Sequence, residues 1–340
     1  MKRVLITGGA GFIAHHLIGQ ILKTTDWEII SLDRLDYSGN LNRLHDIMLT
    51  FDPGVRKRLK IVHHDLKAEL NPLVRSEIGN VDYVLHLAAG SHVDRSIDYP
   101  MEFVMDNVVG TATILDYAKD LDNLERFIYF STDEVFGPAP DGIKYEENDR
   151  YNSTNPYSAT KAGAEELAVA FENTYGLPVY ITHTMNVFGQ RQHPEKFIPM
   201  CIKKARDGEP ITIHSDKTKT IPGSRHYIHA EDVSNAILFL LNNNISNEPT
   251  WGGAKCPKFN IVGAQELNNL ELAQIIAQAQ GKELIYEMVD FHSSRPGHDL
   301  RYALSGEKMK QLGWTPAKDV RTRVAEVVEW TLNNPRWIKM

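Results

Sequence analysis

The chain opens with Lys2-Arg-Val-Leu-Ile-Thr-Gly-Gly-Ala-Gly-Phe-Ile-Ala14, an apolar run that turns through glycines into the helical pattern His15 to Lys23. A strand that stops at a glycine loop and restarts as a helix is the first unit of a parallel α/β sheet. Gly8, Gly11 and Ala14 fill the small-residue spacing that lets a backbone approach a pyrophosphate at a helix N-terminus. Phe12 and Ile13 follow directly in the loop. A second apolar run, Glu28 to Leu32, ends at Asp33, about twenty residues on, where a carboxylate accepts from a ribose 2′-hydroxyl and favours NAD over NADP. Arg34 beside it works against that preference.

Further apolar runs, Leu59 to His63 ending at Asp65 and Leu66, Val81 to Ala89, Arg126 to Ser131 and Pro178 to Thr182, read as buried parallel strands. Met101 to Asp120 and Pro156 to Tyr175 have helix length and period. The alternation predicts an α/β doubly wound parallel sheet, with ligands beyond the carboxyl ends of its strands. Gly8, Asp33, Ala88-Ala89-Gly90 and Ser131 to Glu134 all fall at such ends. After about residue 187 the elements shorten. Helices are expected over Lys196 to Asp207, Glu231 to Leu241 and Leu270 to Gln280, strands over Ile211 to His214 and Phe259 to Val262, and surface loops over Asn242 to Asn244 and Ser215 to Gly223. Residues 1–187 are thus expected to form the dinucleotide-binding domain and 188–340 a smaller substrate-binding lobe, with late elements returning to the first sheet.

Tyr157 and Lys161 stand four apart on one helix face, where an ammonium can lower the phenol's pKa. Thr132, Asp133 and Glu134 lie upstream. Simple alcohol oxidation has no use for the two extra carboxyls, whereas elimination of water needs an acid and a base. Adjacent carboxyls in a closed site raise each other's proton affinity, which suits one protonated and one ionised partner near neutrality.

The 340 residues carry a net charge of −7 and 42% hydrophobic residues, which speaks for a folded enzyme and against a broad nucleic-acid or anionic-membrane surface. Cys201 and Cys256 read as free thiols of a reducing compartment, no run is long enough to span a bilayer, and a cytoplasmic protein is expected. The pairs His15-His16 and His63-His64 lack the carboxylate or cysteine spacing of a metal site, so no metal is expected.

Six segments together resemble the extended short-chain dehydrogenase/reductases, and within them the nucleotide-sugar 4,6-dehydratases. They are Thr7-Gly-Gly-Ala-Gly-Phe-Ile13, Leu87-Ala-Ala-Gly-Ser-His-Val-Asp-Arg-Ser-Ile97, Ser131-Thr-Asp-Glu-Val-Phe-Gly137, Asn155-Pro-Tyr-Ser-Ala-Thr-Lys161, Pro194-Glu-Lys-Phe-Ile-Pro199 and Arg295-Pro-Gly-His-Asp299. The resemblance implies a Rossmann-type fold, bound NAD and a homodimer paired through Met101–Asp120 and Pro156–Tyr175. It implies that Tyr157 deprotonates the sugar 4-hydroxyl with Thr132 at that oxygen, Lys161 holds the nicotinamide ribose, Glu134 takes the C5 proton and Asp133 protonates the departing 6-hydroxyl. Ser91, His92, Asn186, Lys196, Arg225, Asn260, Arg295 and His298 match positions near the nucleotide sugar, with Arg225 and Arg295 suited to a diphosphate. dTDP-glucose fits the resemblance best. UDP-glucose, another nucleoside-diphosphate hexose, or 4-epimerisation remain open, because the chain departs from the common pattern at Ala14, Gly90, Phe136, Ile181-Thr-His-Thr-Met-Asn186 and the loop before Arg225.

Overall fold

A computed structural model describes residues 1–243, 245, 256–290 and 300–339. Among them are twelve strands: β1 (Arg3–Thr7), β2 (Glu28–Asp33), β3 (Leu59–His63), β4 (Tyr83–His86), β5 (Arg126–Thr132), β6 (Val179–Thr184), β7 (Asn186–Phe188), β8 (Ile211–Ser215), β9 (Ser224–His229), β10 (Lys258–Ile261), β11 (Glu266–Asn268) and β12 (Tyr286–Asp290). Seven of them form one sheet in the order β10-β6-β5-β4-β1-β2-β3, and every pairing in it is parallel. This is the Rossmann-type sheet that the strand-helix alternation predicts.

Burial explains why these strands read as unbroken apolar runs. In β1, Val4 and Ile6 face a core built with Leu17, Ile18 and Ile21, while Leu5 between them faces a second core with Ile114, Leu115, Ala164 and Ala168. Successive side chains alternate faces, and helices cover both. The second half returns to this frame: β10 extends the sheet beyond β6, and the helix Ala230–Asn242 packs along Phe12–Thr24, with Gln20 Nε2 donating to Asn235 Oδ1 at 2.9 Å. Two smaller sheets, β11-β9-β7 and β12-β8, enclose a third core around Ile202, Ile213, Leu272 and Val324. No helix among the described residues is long and apolar enough to cross a membrane.

Two segments differ from the sequence reading. The strand expected over Val81 to Ala89 shortens to Tyr83–His86, which leaves Leu87 to Gly90 as a loop at the sheet's carboxyl edge. The single helix expected over Met101 to Asp120 is helical over Pro100–Phe103 and Gly110–Ala118 but widens to a π turn at Val104–Val109. Asn107, buried in that turn, explains it: its Oδ1 accepts from Gly90 N at 2.7 Å, and its Nδ2 donates to Gly90 O at 3.1 Å and Thr160 Oγ1 at 2.9 Å. The amide clamps the loop after β4 onto the helix that carries Tyr157, and the extra residue turns it inward. Of the expected loops, 216–223 follows β8, Asn242 closes a helix and Asn244 lies outside the described residues.

Candidate active site

The strand ends converge on a cavity of about 540 Å³. One end is a backbone cradle. Gly8 has φ +69°, and a Cβ there would lie 2.9 Å from Ala88 Cα and N; a Cβ on Gly9 would lie 2.0 Å from Ser31 Oγ. Gly11 caps the helix Phe12–Thr24 without any side chain. Glycine at these positions keeps backbone amides and the helix N-terminus open to an anion. Asp33 closes the cradle at the end of β2; its Oδ2 accepts from Ala10 N at 2.9 Å and its Oδ1 from Leu35 N at 2.7 Å. Those two bonds fix the carboxylate and leave lone pairs for a ribose diol. Arg34 is held elsewhere, on Asp106 at 2.5 and 2.7 Å and Asp36 at 2.7 and 2.9 Å, so the rival for a 2′-phosphate is already neutralised. The residues present therefore fit an NAD-type dinucleotide. Gly8, Gly11, Phe12, Ile13, Asp33, Asp65, Leu66, Ala88 and Ala89 all line the cavity. Gly8→Ala is expected to strain this loop by about 1–3 kcal/mol and to strip the protein of copurifying cofactor, read as nicotinamide content and melting temperature after purification.

Thr132, Asp133, Glu134, Tyr157 and Lys161 line the same cavity at its centre. β5 ends at Thr132, and its turn Asp133–Phe136 delivers both carboxyls to the face where the helix Pro156–Tyr175 begins. That start is built by Asn155, whose side chain accepts from Ser158 N at 2.8 Å in a capping box, with Pro156 in the first turn. The same Asn155 donates through Nδ2 to Glu134 Oε2 at 3.2 Å. Sequence reasoning used Asn155 only as a helix start; its spacing from Glu134 carries no signal for a contact made in space.

Burial governs the electrostatics. Asp133 is pushed up to about 6 by burial, against the opposing pull of Arg225, the Thr132 hydroxyl and His183. Glu134 is pushed up to about 7 by burial and then by the charge of Asp133, with the Asn155 bond opposing. Both carboxyls are raised, and Glu134 more than Asp133 because the charge of Asp133 adds to burial there, so the pair's proton is held more readily by Glu134. Asp133 Oδ1 accepts from Thr132 Oγ1 at 3.1 Å, whereas its buried Oδ2 has no partner among the described residues. A buried acid oxygen left unpaired beside a cavity is placed to bond whatever enters it. Asn155→Ala removes the bond that favours ionised Glu134. The acid limb of the activity profile is expected to move up by about half a pH unit, checked by rate against pH in the variant and the parent.

The expected lowering of the Tyr157 phenol by Lys161 is not what the site does. Burial, then Glu134, hold the phenol above its ordinary value, while the Thr132 hydroxyl pulls it down. Lys161 Nζ donates to Phe130 O at 2.6 Å and lies 4.3 Å from the Tyr129 ring centroid, and burial lowers its pKa to about 7. The helix spacing aligns the two residues, but the ammonium is spent on a strand carbonyl.

The remaining predicted contacts divide. Ser91, His92, Asn186 and Lys196 line the cavity, with Asn186 also bonded to Tyr227. Arg225 is not among the residues lining it; Nη1 donates to Ser224 O at 2.7 Å and Leu300 O at 2.6 Å, and its charge still bears on Asp133 and Glu134. Asn260 is a correction. Its side chain is fully buried among protein partners, Tyr145 O, Ser305 O and His183, so it has no face toward the cavity. Arg295 and His298 lie outside the described residues. Sequence reasoning missed Tyr37, Ser38, Met185, Gln192 and His193, which line the cavity from loops with no motif of their own. At Gly90 a Cβ would lie 3.1 Å from Phe103 Cε1, so this loop accommodates glycine and crowds a larger residue. No group of three or more metal-binding side chains occurs among the described residues.

This geometry has close counterparts. A family model described as GDP-mannose 4,6 dehydratase matches residues 5–327. A dTDP-glucose 4,6-dehydratase of Salmonella typhimurium is 34% identical, over 99% of this chain and 94% of its own. A trifunctional UDP-glucose 4,6-dehydratase, epimerase and reductase of Arabidopsis thaliana is 35% identical over 99% of this chain, which spans about half, 48%, of that relative's length. A crystal structure of dTDP-glucose 4,6-dehydratase from Streptomyces venezuelae with NAD and TYD bound superposes with a TM-score of 0.85 at 35% identity, covering 99% of each chain. The full-length match, the parallel sheet and the glycine cradle agree, and the chain belongs to the GDP-mannose 4,6 dehydratase family of extended short-chain dehydrogenase/reductases.

Proposed function

We propose that this protein dehydrates a nucleoside-diphosphate hexose, dTDP-glucose first among the candidates, to the 4-keto-6-deoxy sugar with tightly held NAD. The observation that carries the reading is the Asp133-Glu134 pair, Asp133 buried and Glu134 half-buried and both raised in proton affinity, next to Tyr157 on a cavity whose other end is the glycine cradle. An epimerase would leave that pair without a task.

Bound NAD would supply the acceptor for the C4 hydride and, reduced, the donor of that hydride to C6. Thr132 and Tyr157 hold the 4-hydroxyl, and Tyr157 receives its proton as the C4 bond to hydrogen breaks. A ketone at C4 acidifies C5. The reaction requires the pair's proton to stand on Asp133 once the ketone forms: ionised Glu134 removes the C5 proton, Asp133 gives its proton to the 6-hydroxyl, which leaves as water, and Glu134 returns a proton to C5 when hydride reaches C6. Lys161 orients the nicotinamide ribose. Asp33 holds the adenosine ribose diol. Ser91, His92, Asn186 and Lys196 receive the sugar and its diphosphate, a role the resemblance extends to Arg295 and His298. We assign residues 1–187 chiefly to the cofactor and 188–340 to the nucleotide sugar.

We also propose a cytoplasmic homodimer. Cys201 and Cys256 are both free and buried, and the segments expected to pair expose Met101, Met105 and Tyr175. The function is tested by incubating the purified protein with dTDP-glucose, UDP-glucose or GDP-mannose, adding no NAD, and recording product mass. Loss of one water supports the reading and names the substrate; unchanged mass with inverted C4 supports an epimerase and overturns it.

A further inference from the structure

Arg43 is a buried arginine with no carboxylate to meet it. It stands in the first turn of the helix Leu41–Met48, which Asn40 caps by accepting from Asn42 N at 3.0 Å, and it is 3% exposed. Its Nη1 donates to Ala10 O at 3.1 Å and Ser38 O at 2.6 Å, and its Nε to Arg191 O at 3.0 Å. Ala10 belongs to the glycine loop, Ser38 to the loop after β2 and Arg191 to the loop after β7.

Those carbonyls satisfy donors without neutralising the charge. Arg43 makes no ion pair among the described residues, and the acid whose charge bears on it, Asp33, has both oxygens on the amides of Ala10 and Leu35. Burial pulls the guanidinium down to about 10, which still leaves it charged at neutrality. A cation kept out of water in this way is costly unless an anion comes to it. The other amino group, Nη2, donates to no atom among the described residues, yet it is not sealed from open space. The open space that Arg43 lines is the cavity, together with Gly8, Gly11 and Asp33 of the cradle. Its partner Ala10 immediately precedes Gly11, where the helix Phe12–Thr24 leaves its N-terminus open.

We propose that Arg43 is a further cofactor-binding residue, its Nη2 donating to a diphosphate oxygen of the bound dinucleotide. The amides and helix N-terminus of the cradle supply donors and partial charge, and Arg43 supplies a full positive charge that no carboxylate has already matched. A purely structural arginine accounts for the three carbonyl bonds but not for the open fourth donor or the missing counter-ion. A nucleotide sugar carries a diphosphate as well; bonds to Ala10 and Ser38, on the two loops that flank Asp33, set Arg43 with the cofactor. The inference rests on the dinucleotide reading of the cradle and not on the chemistry at Asp133 and Glu134.

The test compares the full-length parent and Arg43→Gln, each freed of copurified nucleotide on charcoal, by calorimetric titration with NAD, ADP, adenosine and dTDP. NAD and ADP are expected to bind the variant about 10–100-fold more weakly, with adenosine and dTDP unchanged within about twofold. Equal weakening of adenosine and ADP makes Arg43 a scaffold for the loops and overturns the proposal, as does no weakening of either. Weakening of dTDP in place of ADP gives the guanidinium to the substrate and overturns the assignment to the cofactor. If the variant does not fold, crystals of the unaltered protein with NAD decide: Nη2 is expected about 2.7–3.1 Å from a diphosphate oxygen, and a contact to ribose alone, or none, overturns it. A parent that binds neither NAD nor ADP would overturn the dinucleotide reading itself, so the two fail separately.

Discussion

Asp133→Asn is expected to oxidise its substrate and then stop, releasing a 4-keto hexose that still carries its 6-hydroxyl while dehydration falls by about 10²–10⁴-fold. Asparagine preserves the shape of Asp133 and can still receive the Thr132 hydroxyl, which now meets the carboxyl at 3.1 Å. It has no acidic proton to give the departing oxygen. Removing one charge from the pair also lowers the proton affinity of Glu134, because Asp133 is among the causes that raise it. The base therefore stays ionised, and the defect falls on departure of water alone. Mass spectrometry of quenched single turnovers checks this. Normal water loss in a folded Asp133→Asn protein would remove that residue from the role of acid.

Tyr157→Phe is expected to abolish the reaction one step earlier, with no ketone at any time and turnover down by about 10²–10⁴-fold. The ring packs with Val93 and Phe103, the latter edge-on at 6.4 Å, so phenylalanine keeps the core while losing the phenolic oxygen. A melting temperature unchanged within a few degrees, alongside loss of ketone formation, separates chemistry from folding. The phenol is held above its ordinary value by burial, so the oxidation step is expected to speed up as pH rises above neutrality and to lose that dependence in the variant. Ketone formation at the parent rate in Tyr157→Phe would move the base elsewhere.

Much of this was legible before any coordinates. β1, β2 and the helix Phe12–Thr24 lie where the glycine spacing and apolar runs put them, because a strand buried on both faces tolerates only apolar residues. The meeting of Thr132, Asp133, Glu134 and Tyr157 was also readable, since a doubly wound sheet brings strand ends to one edge. What was hidden is pairwise and distant in sequence. The π turn at Asn107 exists to meet Gly90 and Thr160, and periodicity cannot distinguish it from a plain helix turn. Lys161 shares a helix face with Tyr157 but binds a carbonyl of β5, a competition that spacing alone does not reveal. Asn260 stands at a family position near the substrate, yet here it is turned onto His183 and two carbonyls. β7 and β11 were missed because they span only three residues each, and β9 and β12, of six and five residues, because their polar side chains give no apolar run to read.

The central claim is that one hexose loses hydrogen from C4 and water from C5–C6 before regaining that hydrogen at C6, all in a single site. Incubating the protein with dTDP-glucose carrying deuterium at C4 tests it most directly, with the product read by NMR and mass. The account predicts a 4-keto-6-deoxy sugar with the C4 deuterium on its new methyl group and a solvent-derived hydrogen at C5. Deuterium returned to C4 of an intact hexose, or lost to solvent with the 6-hydroxyl still in place, would contradict it.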